Sequence, residues 1–220
     1  MPSSPKAPSR RAPHSRKPAV VRARILDAAQ AEFMAHGFAA ASTNRILERF
    51  GGSKPTMFRH YPTKRALFAG VVERIAEGWR EAIPADTIDA TDPQSWLTAC
   101  ATMALQWILT PENLFVGRMA IAEGHAFPEV AEVYRGSAVV PLEALFAERL
   151  RAWTSAGLLA CPDPERDARA LLDLTLSGQV SRALYGVDGS EIAALGAHAA
   201  YCVELFLRGR ISRQSPSAGD

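Results

Sequence analysis

The run RILDAAQAEFMAHGFAAASTNRILERFGGSKPTMFRHYPTKRALFAGVV, Arg24 to Val72, decides how this chain is read. Ile25, Leu26, Ala29 and Phe33 recur at helical spacing and Gly37 supplies a stop, which predicts a first helix over 19–36. Ser42 or Thr43 can cap a second helix reaching Arg49 or Phe50, with Ile46 and Phe50 on one face, before Gly51-Gly52 breaks it. Ser53 is placed to cap a short third helix, with Pro55 in its first turn, Met57, Phe58 and Tyr61 as apolar anchors, and Pro62 as its end. Thr63 can cap a fourth helix from near Lys64 through Leu67, Val71, Ile75 and Trp79 to about Ile83.

Two short helices joined by a glycine turn, the second carrying Lys54, Thr56, Arg59 and His60, satisfy the requirements of a helix-turn-helix. A small turn lets the helices cross steeply, Ile46, Phe50 and Met57 can hold the second helix, and its outer face is polar and cationic. The helix starts at Ser42/Thr43, Ser53 and Thr63 offer free backbone N–H groups to phosphates.

In these residues the chain resembles the N-terminal domain of TetR/AcrR-family transcriptional regulators. The register matches without a gap at Gly37-Phe38, Ala41-Ser42, Ile46-Leu47, Phe50-Gly51-Gly52-Ser53, Pro55 to Tyr61 and Thr63-Lys64. The departures are Gly52 where Val is usual, Leu47 and Phe50 in place of small residues, and Phe58 where the family usually has Tyr. The two larger residues can compensate for Gly52 in volume. The resemblance implies that Lys64 and the Ser42/Thr43 helix start hold backbone phosphates and that Arg45, Lys54, Thr56 and His60 face the groove. Ser53, Phe58 and Arg59 complete the expected DNA-binding set.

Outward from this run, charge separates the two ends. Through Arg65 there are 13 basic and 3 acidic residues; from Leu67 onward there are 12 basic and 20 acidic, although the whole chain of 220 residues carries only +2. A polyanion-binding N-terminal part joined to an acidic remainder follows. Residues 1–18, rich in Pro, Ser and basic side chains, read as a disordered tail, 19–66 as the DNA-binding domain, 67–211 as a ligand-binding and dimerisation domain, and 212–220 as a flexible tail. No apolar segment follows the basic N-terminus, so neither a secretory signal nor an Arg10-Arg11 export signal is read there. Cys100, Cys161 and Cys202 form no disulfide framework, which fits the cytoplasm.

The remainder reads as helices broken at Pro84, Asp92-Pro93, Pro111, Pro128, Pro141, 161–164 and 186–189, so the fold class is all-α. Between Asp92 and Glu112 no residue is charged, yet Ser95, Thr98, Thr102, Gln106 and Thr110 draw a polar stripe that argues against a membrane span. That helix is either simple core, with hydroxyls bonded to preceding carbonyls, or the wall of an apolar pocket with Thr102, Met103, Gln106 and Trp107 facing a ligand. Residues 111–133 resemble the middle of one TetR subgroup through Glu112-Asn113-Leu114, the Arg118 to Glu123 helix and the Phe127-Pro128-Glu129 turn. They add Arg118, Met119 and His125 as pocket candidates.

Two C-terminal helices over 165–185 and 191–207 follow, the second with Ile192, Leu195, Ala199, Cys202 and Phe206 at steps of three and four. The resemblance implies that these two helices pair with a second copy, with Leu172 and Thr175 in the same interface; packing against their own subunit is the alternative. No Gly-rich phosphate loop, H-E-x-x-H motif or His/Cys cluster points to an enzyme, a metal or a cofactor. The expectation is a homodimeric repressor of a palindromic DNA operator, released by a small hydrophobic effector; an architectural DNA protein would need no pocket.

Overall fold

The computed structural model describes residues 18–83, 85–186 and 192–210, with the side chains of 80, 81, 192 and 193 left aside. Of the tail expected over 1–18, residues 1–17 lie outside the described residues, as does 212–220, whereas Pro18 belongs to the first helix. Ten α-helices run in the order α1 (Pro18–Ala40), α2 (Thr43–Phe50), α3 (Lys54–His60), α4 (Lys64–Ala82), α5 (Pro93–Ile108), α6 (Pro111–Glu123), α7 (Pro128–Tyr134), α8 (Val140–Ser155), α9 (Pro164–Leu184) and α10 (Ile192–Arg208) among the described residues.

Local chemistry places most of the boundaries. Thr63, Asp92, Thr110 and Asp163 cap α4, α5, α6 and α9, each accepting a backbone N–H with its side-chain oxygen. Gly51 closes α2 in the left-handed region (φ 65°), its N–H bonded to Leu47 O, a conformation that glycine adopts without penalty. Gly37 stands at φ 73° and ψ 178° inside α1, so the helical geometry stops where the sequence indicates, and a further turn, Phe38 to Ala40, continues beyond it. Pro141, expected as a break, instead lies in the first turn of α8. Having no N–H for an ordinary helical bond, it follows a wide π-turn over Arg135–Val139 that joins α7 to α8 without a gap.

Burial sorts the helices around two cores. Ile25, Phe33, Ile46, Met57, Leu67 and Phe68 centre the first, where α1, α2, α3 and the first half of α4 meet. Phe38 packs there on Phe33, Phe68 and Phe127, with Val116, Met119 and Val130 of α6 and α7 closing one side. The second core is built from α5, α8, α9 and α10 around Trp96, Leu97, Phe146, Leu150 and Leu171. Helix α4 crosses the 66/67 boundary read from the sequence without interruption: Leu67 to Val72 belong to the first core and Trp79 to the second.

Candidate nucleic-acid interface and effector cavity

Helix α3 is built to present side chains. Ser53 Oγ accepts from Thr56 N at 3.3 Å and shares a 2.8 Å bond with Thr56 Oγ1, while Met57 is fully buried beneath. Phe58 and His60 are half-buried, with Phe58 leaning on the first core and Lys54 Nζ 5.8 Å from its ring centre. Lys54 and Arg59 are exposed, and neither has an ion-pair partner among the described residues; the same holds for Arg49 at the end of α2.

Arg45 differs from its expected role. Its guanidinium lies 2.6 Å from Glu32 Oε1, and its Nη2 donates to Ala40 O at 2.8 Å, so it fastens α2 to α1. Ser42 precedes α2 without a side-chain capping bond; its backbone N–H donates to Glu32 at 2.9 Å, and Thr43 is half-buried beside it. Lys64 Nζ donates to Ala39 O at 3.0 Å and Ala41 O at 3.3 Å, above the Phe38 ring. These acceptors are neutral carbonyls, and Lys64 has no carboxylate ion-pair partner among the described residues.

Glu32, only 2% exposed, is the hub of this arrangement. Burial opposes its ionisation, but the Arg45 hydrogen bond, the Ser42 N–H and the charges of Arg45 and His36 outweigh it and hold its carboxyl below the usual range. A lowered folded-state pKa gives stability that is present above the unfolded value of about 4.3 and is lost as pH falls through the folded one. Glu32→Gln is therefore expected to lose about 2 kcal/mol near neutral pH. Urea unfolding across pH should show the difference from wild type shrinking below about pH 4; a difference independent of pH would refute the assignment.

A cavity of about 220 Å³ lies between α5, the end of α7, the π-turn, α8 and α9. Trp107, Tyr134, Leu142, Leu172 and Leu176 give it an apolar lining, to which Glu143, Arg169, Asp173 and Ser177 add polar groups. Of the expected pocket residues, only Trp107 lines it. Thr102 bonds back to Thr98 O at 2.7 Å and faces Gly196 of α10, which is the core alternative for this helix. Met103 packs on the second core, Gln106 is exposed, and Met119 is buried in the first core. Arg118 is exposed and donates to Ala183 O at 3.0 Å, and His125 is exposed between α6 and α7. The lining residues Tyr134, Ala138 and Leu142 carry no local signal, since three helices must converge to make them a wall.

The residues expected at a dimer interface are also corrected by burial. Leu172, Thr175, Leu195, Ala199 and Cys202 are buried within the subunit, and Phe206 packs against its second core, because the densest apolar stripe of each helix faces inward. Ile192 opens α10, with its side chain outside the described residues. The outer faces of α9 and α10 instead show Leu174, Tyr201 and Leu205. Burial pushes the Cys100 thiol up to about 12 and raises those of Cys161 and Cys202, so none is poised as a nucleophile. Among the described residues no cluster of metal-ligating side chains occurs, and no helix is long and apolar enough to cross a membrane.

An all-α chain with a capped, cationic recognition helix and a second helical core is the architecture of a helix-turn-helix regulator. Residues 25–71 match the pattern of bacterial regulatory proteins of the tetR family, and residues 95–209 match that of the AefR-like transcriptional repressor C-terminal domain. The chain belongs to the TetR family of transcriptional regulators, a class that is not enzymatic. It is 28% identical over 182 residues to the HTH-type transcriptional repressor Rv1474c of Mycobacterium tuberculosis, covering 79% of this chain and 88% of that one. It is 34% identical over 83 residues to the repressor SCO4008 of Streptomyces coelicolor, a stretch that covers 38% of this chain and only 42% of that relative. In fold it resembles a protein from Mesorhizobium loti described as a TetR-family regulator (TM-score 0.78, 24% identity, 90% of this chain and 100% of that one). The flavonoid-responsive regulator FrrA is similar in fold (TM-score 0.79, 22% identity, 89% and 99%).

Proposed function

We propose that this protein is a homodimeric repressor in the cytoplasm that grips a palindromic operator with α2 and α3 and lets it go when a small apolar molecule fills the cavity beside Trp107. The observation that carries the reading is α3 itself: Lys54 and Arg59 exposed, without ion-pair partners among the described residues, on a helix capped by Ser53 and anchored by buried Met57. Base reading falls to Lys54 and Arg59, with Arg49, Thr56, Phe58 and His60 beside them. Arg45 positions α2 instead, and Ser42, Thr43 and Lys64 serve the phosphates. The DNA-binding unit extends through the first half of α4, following the core, and the regulatory unit takes the rest.

A second copy would pair through the outer faces of α9 and α10, where Leu174, Tyr201 and Leu205 leave apolar surface exposed. Two such units at a fixed separation read two half-sites and multiply affinity. A cavity of about 220 Å³ accepts a molecule of one or two rings, given that a 150 Å³ apolar cavity holds benzene. Its charged lining residues, Glu143, Arg169 and Asp173, suit polar substituents on that molecule. FrrA is flavonoid-responsive by name, which supports screening flat aromatic compounds first. Repression rather than activation is supported by the relatives Rv1474c and SCO4008.

Sequencing fragments of its own genome retained by the full chain, followed by anisotropy titrations at several salt concentrations, tests the reading. Lys54→Ala and Arg59→Ala are each expected to weaken the recovered duplex about tenfold or more and to relax preference at particular bases. Lys64→Ala should weaken all sequences alike and reduce the salt slope by about one. Retention of every fragment alike would favour an architectural protein, and a single-chain mass in sedimentation would overturn the dimer.

A further inference from the structure

Side chains from four helices hold the turn that leads from α1 into α2. Glu32 accepts Ser42 N–H, Arg45 donates to Ala40 O, and Lys64 donates to Ala39 O and Ala41 O; all three belong to the DNA-binding unit. Two further N–H groups of the turn are held from outside that unit. Glu123, the last residue of α6, accepts Phe38 N–H through Oε1 at 2.7 Å and Ala39 N–H through Oε2 at 2.6 Å.

A carboxylate that takes two consecutive backbone N–H groups, one on each oxygen, fixes both distance and rotation. The turn is shaped to receive it. Gly37 sits at φ 73° and ψ 178°, a region open essentially to glycine alone, and a Cβ there would stand 2.5 Å from Glu123 Oε1. The opposite end of α6 is fastened to the cavity: Asn113 Nδ2 and Thr110 Oγ1 donate to Trp107 O at 2.8 and 3.0 Å, and Trp107 lines the apolar wall. With 13 residues, α6 is a rod of about 20 Å with one end at Trp107 and the other at Phe38 and Ala39.

We propose that Glu123 is the positioning residue through which α6 sets the pose of the helix-turn-helix. The proposal rests on the operator-binding reading above. Apolar contacts of Val116, Met119 and Val130 hold the two units together when the carboxylate is gone, so its removal alters pose more than folding. The ion pair between Arg65 of α4 and Glu132 of α7 provides a control. At 3.7 Å, with the two side chains 59% and 70% exposed, it contributes little.

The test compares wild type, Glu123→Ala, Glu123→Gln and Glu132→Ala as full chains on the genomically recovered duplex and on versions with the half-site spacing changed by one base pair. Amide exchange at Phe38 and Ala39 is followed by NMR in the same proteins. Glu123→Ala is expected to lose protection at both amides, bind about tenfold more weakly and discriminate less between spacings, with its melting midpoint little changed. Glu123→Gln should fall between, because its oxygen accepts one N–H while its NH2 opposes the other, and Glu132→Ala should match wild type. Wild-type affinity and spacing preference in Glu123→Ala, or amides still protected there, would overturn the proposal. A wild type without sequence preference would instead overturn the operator reading, and the Glu123 assignment with it.

Discussion

Gly52→Val is expected to lower stability by about 1–3 kcal/mol, the usual range for overpacking a filled core, and to weaken DNA binding with it. The reason is Phe50. A Cβ built on Gly52 falls inside the van der Waals envelope of the Phe50 ring, so the ring occupies the space that a side chain at 52 would need. The ring is not free to leave. Phe50 is 4% exposed, Arg24 lies over its face at 5.4 Å, and Arg24 Nη2 holds Phe50 O at 2.9 Å. Phe50→Ala alone is also expected to be costly, by about 3–5 kcal/mol, because it empties that space. The two changes together restore the arrangement usual in the family, a small residue at 50 and Val at 52. The double variant should therefore be more stable than Phe50→Ala, with a coupling of about 1–2 kcal/mol in a double-mutant cycle read by urea unfolding. Strict additivity would show that the ring and the glycine do not share one volume.

This pair also shows what the sequence discloses. Helix starts at Ser53 and Thr63, the stop at Gly51 and the trade between Phe50 and Gly52 are legible because each depends on neighbours a few residues away. Arg45 was not legible: its partner Glu32 lies 13 residues upstream on another helix, and no local pattern distinguishes a groove-facing arginine from one in a structural ion pair. The cavity is further from local reading, since its lining comes from α5, the end of α7, the π-turn, α8 and α9 together. On α9 and α10 the apolar stripe is real but belongs to the subunit core. Leu174 and Tyr201, on the outer faces, interrupt no periodicity and so give no signal. Glu123 stood within a motif of the resemblance, but only the fold brings it to Phe38 and Ala39, 85 and 84 residues away.

Trp96→Ala is expected to remove about 3–5 kcal/mol, and to do so from one half of the molecule only. Trp96 is fully buried, meets Phe146 and Trp153 edge-to-face with ring centres 5.6 Å apart in both pairs, and donates its indole N–H to Ala85 O at 3.2 Å. Arg149 lies over its ring at 5.2 Å. Truncation opens a void among groups held by several elements, leaves a buried carbonyl without this donor and removes the surface on which two aromatic rings rest. The first core shares α4 with this one but draws its own packing from Phe33, Met57 and Phe68, none of which touches the void. All four tryptophans, Trp79, Trp96, Trp107 and Trp153, lie at or beyond the crossing point in α4, so fluorescence reports the second core while circular dichroism reports every helix. In Trp96→Ala the fluorescence transition should precede the dichroism transition in urea, with the helix-turn-helix melting later. Coincident transitions displaced together would mean that α4 and α6 bind the two cores into one cooperative unit, and the loss would then fall on DNA binding as directly as on the cavity.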